Sequence, residues 1–384
     1  MTDTLSAPAP EIHKGLNGVY VDETRVSKVD AASNSLLYRG YPVQQLAGKV
    51  PFEDVVWLLW HGEFPSESER TSLVTAERGA RQLDPATRTL IDSLPLSAHP
   101  MDVLRTVVSA IGAEDPEPAS PTPDQTFERA LRLFARTPAV IAYDQRRRKG
   151  LEPVDSRDDL GYSANFLHLV FDGEPDPDDV RAFDVSMTLY AEHSFNASTF
   201  TARVIASTLS DLHSALVGAI GALKGPLHGG ANEAALALLE EIGSADAVDA
   251  WLDEALANKR TLMGFGHRVY KNGDSRVPTM EEALGHLIDA RPGAETERLA
   301  PLYDALQKGV LERKRLKPNV DYPSGLAYHL LGFDTEVFTP LFVASRIVGW
   351  TAHIVEQRSA NALIRPLSVY TGHEYRDVPA NPTR

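Results

Sequence analysis

Hydrophobic and polar positions along this chain of 384 residues follow a helical period almost throughout. FEDVVWLLWHG (52–62) sets Phe52, Val55, Val56, Leu58 and Leu59 on one face and stops at Gly62, which predicts an amphipathic helix closed by a glycine. HPMDVLRTVVSAIGA (99–113) repeats the pattern behind a proline, and ERALRLFARTPAVIAYDQRRRKG (128–150) extends it. Residues 183–223 read as helix after helix, and ANEAALALLEEIG and DAVDAWLDEALANK follow as amphipathic helices. Within SALVGAIGALKG (214–225), small residues at close spacing mark either an internal packing seam or a subunit interface. The one strand-like stretch is GVYVDETRVSKVD (18–30), where alternation predicts a small hairpin. EDPEPASPTPD (114–124) and EPDPDDV (174–180) read as solvated loops. Strand–helix alternation is missing, so a parallel α/β sheet is not expected and the class is mainly α.

Composition narrows this picture. A hydrophobic content of 43% supports a large core, and the length favours two domains. The net charge of −15 and a pI near 5.3 argue against a nucleic-acid or membrane-surface partner, so any basic site must be local. Without cysteine there can be no disulfide, thiolate metal site or cysteine nucleophile. MTDTLSAPAPEIHKG lacks the basic and apolar regions of a signal peptide. The longest apolar helical pattern, Phe338 to Val355, is interrupted by Arg346, Thr351 and His353 and is not read as a membrane span. A soluble cytoplasmic protein is expected.

Against the acidic background, GFGHRVYKNGDSR (264–276) gathers His267, Arg268, Lys271 and Arg276 around three glycines. A flexible basic turn suits an anion, and the alternative is a solvated loop; the pattern is neither G-x-G-x-x-G nor a P-loop. KGPLHGGANEAALALL (224–239) presents His228 on a turn ahead of a helix N-terminus, whose dipole favours a neutral imidazole. Alone it reads more readily as a loop histidine that bonds the backbone. KPNVDYPSG (317–325) holds Asp321 between two prolines before a helix near Gly325 to Leu331, as a functional carboxylate or as a cap, a task Ser324 could also serve. Arg346 lies in an apolar helix, where it needs an internal acid or a bound carboxylate. Arg365 follows that helix and, like Arg346, offers a fork for carboxylates. His193 stands in a helical pattern among small and polar residues, as a ligand contact or a satisfied core histidine. An aspartate base with neutral histidine donors suits proton abstraction beside a carbonyl. The arginines suit a substrate with several carboxylates.

GPLHGGANE, GFGHRVYKNGDSR, PNVDYPSG, SRIVGWTAHIVEQ and NALIRPL, in this order, resemble the signature stretches of the citrate synthase family. The likeness runs from YRGYPVQQLA (38–47) to GHEYR (372–376). HPMDVLRT and AEHSFNASTFTARV are most similar to the short bacterial branch, on its 2-methylcitrate side. The resemblance implies a multi-helical two-domain fold with a small N-terminal β element. Residues 1–220 and 323–384 would form a large dimerising domain, and 221–322 a small domain that binds coenzyme A and closes. It implies condensation of propionyl-CoA, and also of acetyl-CoA, with oxaloacetate; a dedicated citrate synthase is the alternative. His228 would bond the thioester oxygen, Asp321 would take the α-proton, and His267 would polarise the keto oxygen of oxaloacetate. His193, Arg276 and Arg346 would hold oxaloacetate, and Arg365 would reach the partner subunit's site in a homodimer. Thr261, Leu262, Met263, Gly264, Phe265 and Gly266, with Arg268 and Lys271, would bind coenzyme A. No metal and no cofactor beyond the thioester substrate are implied.

One departure is Asp274-Ser275-Arg276, where the family often has Asp-Pro-Arg; serine would leave that turn less stiff. Two readings of another class remain. A metal-dependent hydrolase could use two histidines and a carboxylate, although no H-x-x-x-H or H-E-x-x-H pair is present; a serine hydrolase lacks its G-x-S-x-G. A helical anion-binding module would need no chemistry at all.

Overall fold

The computed structural model describes residues 11–16, 18–30, 33–267, 269–270 and 272–378. A three-stranded antiparallel sheet of β1 (Ser27–Asp30), β2 (Ser35–Tyr38) and β3 (Tyr41–Pro42) opens the fold, with Ser27 opposite Tyr38 and Asp30 opposite Ser35. Of the predicted strand 18–30, only the last four residues pair. Its first part forms no strand and is tied down by side chains: Arg203 Nη2 donates to Asp22 at 2.7 Å, and the Arg25 N–H donates to Glu356 at 2.7 Å.

The other regular elements of the described chain are helices. They are α1 (Val43–Leu46), α2 (Phe52–His61), α3 (Glu67–Gly79), α4 (Pro85–Ser93), α5 (Pro100–Glu114), α6 (Pro123–Arg148), α7 (Tyr162–Phe171) and α8 (Pro177–Tyr190). Then come α9 (Ala197–Ser207), α10 (Leu212–Leu223), α11 (Ala231–Ile242), α12 (Val248–Ala257), α13 (Val277–Ala290), α14 (Ala294–Lys314), α15 (Asp321–Leu330) and α16 (Phe338–Ser359). Local chemistry explains their ends. Asp84, Thr122, Asp176, Asn196 and Asp211 accept backbone N–H groups at helix starts, and Gly62 ends α2 in the left-handed region with φ +93°.

The core centres on α16, in which every residue from 338 to 354 is buried. The helix is apolar and long enough to cross a membrane by composition, yet α2, α6, α8, α9 and α10 enclose it. The small residues of α10 serve an internal seam. A Cβ on Gly218 would lie 2.2 Å from Ile205 of α9, and Gly221 faces Arg105 of α5. The mainly α class and the small N-terminal β element are as expected.

Candidate active site

The turn between α12 and α13 is laced to the strand of chain that leads into α15. Gly266 N–H donates to the Lys317 carbonyl at 2.8 Å, and Asn319 N–H to the Gly264 carbonyl at 2.9 Å. The Asn319 side chain also donates to the Gly266 carbonyl at 3.0 Å. Gly264 has φ +85°, and a Cβ there would come 3.1 Å from Ala235 and from Tyr322, so this approach requires glycine. Leu262 and Phe265 are buried, and Phe265 packs on Tyr322 with ring centroids 4.5 Å apart. Thr261 is exposed and Met263 half-buried. What the turn offers a ligand is thus backbone and these two side chains. Arg268 and Lys271 lie outside the described residues.

This lacing fixes His267 and Asp321 as one unit. The His267 Nδ1 accepts the Val269 N–H at 3.0 Å, which assigns the proton of the neutral ring to Nε2. Burial pushes its pKa down to about 4, and the Arg276 guanidinium adds to the shift. The His193 ring lies 5.2 Å away, centroid to centroid. Tyr270 connects to it through a 3.2 Å bond between its hydroxyl and His193 Nε2. Burial, then Arg276 and His267, hold His193 well below the usual histidine range. His193 is not in a helix as its surroundings suggested. It sits in the bend between α8 and α9, where Ser194 takes φ +52° and Asn196 caps α9.

Arg276 caps the start of α13 and is paired with Asp274. Its Nε donates to Oδ1 at 3.0 Å, its Nη2 to Oδ2 at 2.7 Å, and its backbone N–H to Oδ1 at 3.1 Å. Oδ2 also accepts the Val320 N–H at 3.0 Å. Burial alone would raise the Asp274 carboxyl, but Arg276 outweighs it and holds the group well below the carboxylate range. Two hydrogen bonds hold the turn at the position where the family often has proline. Ser275 Oγ donates to the Tyr270 hydroxyl at 3.2 Å, and its carbonyl accepts from Gln44 at 2.9 Å.

Helix α15 begins at Asp321 itself rather than near Gly325, because Pro323 falls in the first turn, where its missing N–H is no loss. Tyr190 donates its hydroxyl to Asp321 Oδ1 at 2.7 Å. Burial raises the Asp321 carboxyl to about 6, against the Tyr190 hydrogen bond and the Arg276 charge. A carboxylate of this kind is a stronger base than a solvated one.

Arg346 is 1% exposed. Its Nε donates to the Tyr190 carbonyl at 2.6 Å, and its guanidinium lies 4.7 Å over the Phe342 ring. No acid forms an ion pair with it among the described residues, and Nη1 and Nη2 form no hydrogen bond there. Burial pulls its pKa down to about 10, opposed by Glu192, so it stays charged at neutral pH. Among the described residues no acid lies within ion-pair distance of it, and the buried Glu192 acts on it only from further off.

His228 sits on the turn between α10 and α11. Its Nε2 accepts the Ser198 N–H at 3.2 Å and lies 2.8 Å from Ser198 Oγ, which in turn accepts Trp350 Nε1–H at 3.1 Å. The proton of the neutral ring therefore sits on Nδ1. Burial, with help from Arg346, takes the pKa down to about 4. Phe342 joins the parts: its ring meets Tyr190 at 4.4 Å and His228 at 6.3 Å while lying under Arg346.

Behind His193, Glu192 is fully buried. Its Oε1 accepts from Ser27 Oγ at 2.7 Å and from His353 Nε2 at 2.9 Å. Arg365 lies in the exposed tail after α16, without a hydrogen bond or ion pair to the described residues. The structure thus gathers His193, His228, His267, Asp321, Arg276 and Arg346, and leaves Arg365 apart. Sequence reasoning missed Tyr190, Ser198, Tyr270, Asn319 and Phe342. Their only signal was proximity in the chain to a residue already singled out, as Tyr190 is to His193.

Two neutral imidazoles with assigned N–H donors, a carboxylate of raised basicity and a buried guanidinium without an ion-pair partner among the described residues form an arrangement suited to proton abstraction and anion binding. The sequence profile described as "Citrate synthase, C-terminal domain" matches residues 15–367. The chain is 52% identical to the citrate synthase of Mycolicibacterium smegmatis, over 98% of this chain and 100% of that one. It is 50% identical to the 2-methylcitrate synthase of Mycobacterium tuberculosis, over 98% and 96%. It superposes with a TM-score of 0.90 on citrate synthase from Thermoplasma acidophilum, at 31% identity over 96% of this chain and 99% of that one; that structure is a ternary complex with carboxymethyl coenzyme A and oxaloacetate. The chain belongs to the citrate synthase family, and with it to the acyltransferases.

Proposed function

We propose that this chain is a 2-methylcitrate synthase, which condenses propionyl-CoA with oxaloacetate and also accepts acetyl-CoA. The observation that carries the condensation is Asp321, held by the Tyr190 hydroxyl in one cluster with two neutral histidines whose protons are assigned, and the 50% identity to a 2-methylcitrate synthase favours propionyl-CoA as the donor. Asp321 takes the α-proton of the thioester while His228 Nδ1–H bonds the thioester oxygen. A thioester α-proton is far less acidic than any carboxylic acid, so base and donor must act together; such general acid–base assistance contributes about 10²–10⁴-fold. The enolate carbon attacks the keto carbon of oxaloacetate, whose oxygen is polarised by His267 Nε2–H. Fixed donors in a dry site stabilise both developing oxyanions. Arg346, with its two terminal nitrogens uncommitted, binds a carboxylate of oxaloacetate; Arg276 and His193 complete that subsite. Hydrolysis of the acyl-CoA intermediate then releases the tricarboxylate.

We read the 261–266 turn as the coenzyme A subsite and residues 221–322 as the segment that closes over the substrates, excluding water. We also read the active form as a homodimer, in which the exposed Arg365 serves the partner subunit's site. The 52% identity to a citrate synthase favours a second reading, with acetyl-CoA as the main donor. One methylene in a pocket is worth only ~1–3 kcal/mol, so both donors should turn over.

The test is thiol release followed with a disulfide dye. The chain has no cysteine, so the signal comes from coenzyme A alone. Oxaloacetate-dependent release with the higher kcat/KM for propionyl-CoA is expected. A clear preference for acetyl-CoA makes the chain a citrate synthase, and release without oxaloacetate makes it a thioesterase.

A further inference from the structure

Tyr190 ends α8 and touches the site at both ends of the residue. Its hydroxyl meets Asp321 Oδ1 at 2.7 Å, and its carbonyl accepts from Arg346 Nε at 2.6 Å. Its ring stands edge-on to Phe342, the ring that also lies under Arg346. The residue is 1% exposed, so its hydroxyl hydrogen needs an acceptor inside the protein, and the carboxylate is the one it has.

We propose that Tyr190 is the positioning residue for the base: its hydroxyl occupies Oδ1 of Asp321, so that Oδ2 is the oxygen that receives the α-proton. This assignment rests on the condensation proposed above. In that step the α-carbon–hydrogen bond breaks and its proton goes to Oδ2. The electron pair left behind forms the enolate double bond, and the thioester oxygen gains the negative charge while bonded to His228 Nδ1–H. Tyr190 keeps its own proton throughout, because burial and the adjacent Asp321 charge hold its phenol far above the usual tyrosine range. It is a donor, not an acid. The tether fixes rotation of the carboxylate about its last carbon–carbon bond. The backbone end is fixed separately, by the Asp321 N–H donating to Asn319 Oδ1 at 3.1 Å.

Several charged or titratable groups face this carboxylate. They are Tyr190 from α8, Asp274 and Arg276 from the turn before α13, Arg346 from α16 and Tyr328 from α15 itself. Asp274 and Arg276 act in opposite directions on Asp321. Tyr190 is the group that touches it, and its hydrogen bond favours the ionised form against burial.

The experiment is the pH profile of kcat/KM for propionyl-CoA at saturating oxaloacetate, for wild type and two altered proteins. Tyr190→Phe removes the donor and keeps the ring and the carbonyl that holds Arg346. Its acid limb is expected to rise by about one pH unit, with a fall in kcat and an oxaloacetate KM near wild type. Incorporation of 3-fluorotyrosine at position 190 gives a stronger donor, and its limb is expected to move to lower pH. A role in packing alone does not produce shifts of opposite sign. A limb that stays in place in both proteins, with wild-type kcat, overturns the assignment. Should Tyr190→Phe not fold, the fluorotyrosine protein decides by itself, since an unmoved limb there also overturns it. Failure of the condensation reading is distinct: wild-type protein then shows no oxaloacetate-dependent thiol release from either acyl-CoA.

Discussion

Replacing Asp274 with asparagine is a small change in shape with a large expected cost. Both carboxylate oxygens are committed, Oδ1 to the Arg276 N–H and Nε, Oδ2 to Arg276 Nη2 and the Val320 N–H. Either orientation of an amide therefore turns an NH₂ group toward donors. Asp274 and Arg276 are both buried, so the variant leaves a guanidinium without a counter-charge. Breaking a buried pair from one side costs about 3–5 kcal/mol. The backbone N–H that faces the amide NH₂, that of Val320 or of Arg276 according to its orientation, adds to this within the same range, so a loss of about 4 kcal/mol is expected for Asp274→Asn in equilibrium urea unfolding. The oxaloacetate KM should rise as well, because Arg276 loses its anchor and the bond into the start of α15 is gone. The double variant Asp274→Asn, Arg276→Met removes the orphaned charge and should recover about half of the lost stability, with no recovery of KM. A single variant within 1 kcal/mol of wild type, at an unchanged KM, would refute the pairing argument (about 1 kcal/mol being an ordinary substitution effect).

Arg346→Met should raise the oxaloacetate KM by about 10²-fold or more while lowering stability by no more than about 1–3 kcal/mol, since the Tyr190 carbonyl loses its donor but the burial of a charge is relieved; a larger fall in stability with an unchanged KM would show the guanidinium to be structural. Ser198→Ala removes the hydroxyl between Trp350 and His228 but keeps the backbone donor, so kcat should drop by about tenfold and KM should hold. Asp184, whose carboxyl burial raises to about 7 from 3.8, binds its proton more tightly in the folded state than in the unfolded one. Its contribution is complete below about pH 4 and is lost as pH climbs through 7. Asp184→Asn should therefore gain on wild type over that interval, by up to about 4 kcal/mol in unfolding free energy; parallel pH–stability curves for the two proteins would contradict this.

What the sequence disclosed depended on whether a residue broke its local pattern. His228, His267 and Asp321 stand on turns marked by glycine or proline, and Arg346 is a charge in an apolar run, so each stood out. Tyr190 conforms to its pattern: a tyrosine at the end of an apolar helix reads as core. Its use depends on meeting Asp321, 131 residues further on. His193 was drawn into a helix because the capping sense of Asn196, followed by Ser and Thr, was not weighed against the apolar period. Alternation in 18–26 suggested strand but could not supply a neighbouring strand, and side chains from α9 and α16 hold that segment instead. The helical class was legible because the period repeats over many segments.

Glu192 ties the order of synthesis to the readiness of the site. Ser27 emerges first, Glu192 is made 165 residues later, and His353 another 161 after that. At ribosomal rates the interval is about 15–65 s. For about the second half of it Glu192 is present without His353, so the hydrogen bond that holds the carboxylate behind His193 cannot yet form. The substrate end of the site is consequently among the last parts of the nascent chain to become rigid. A chain cut before α16 would retain His228, His267 and Asp321, and would still have no finished pocket to use them.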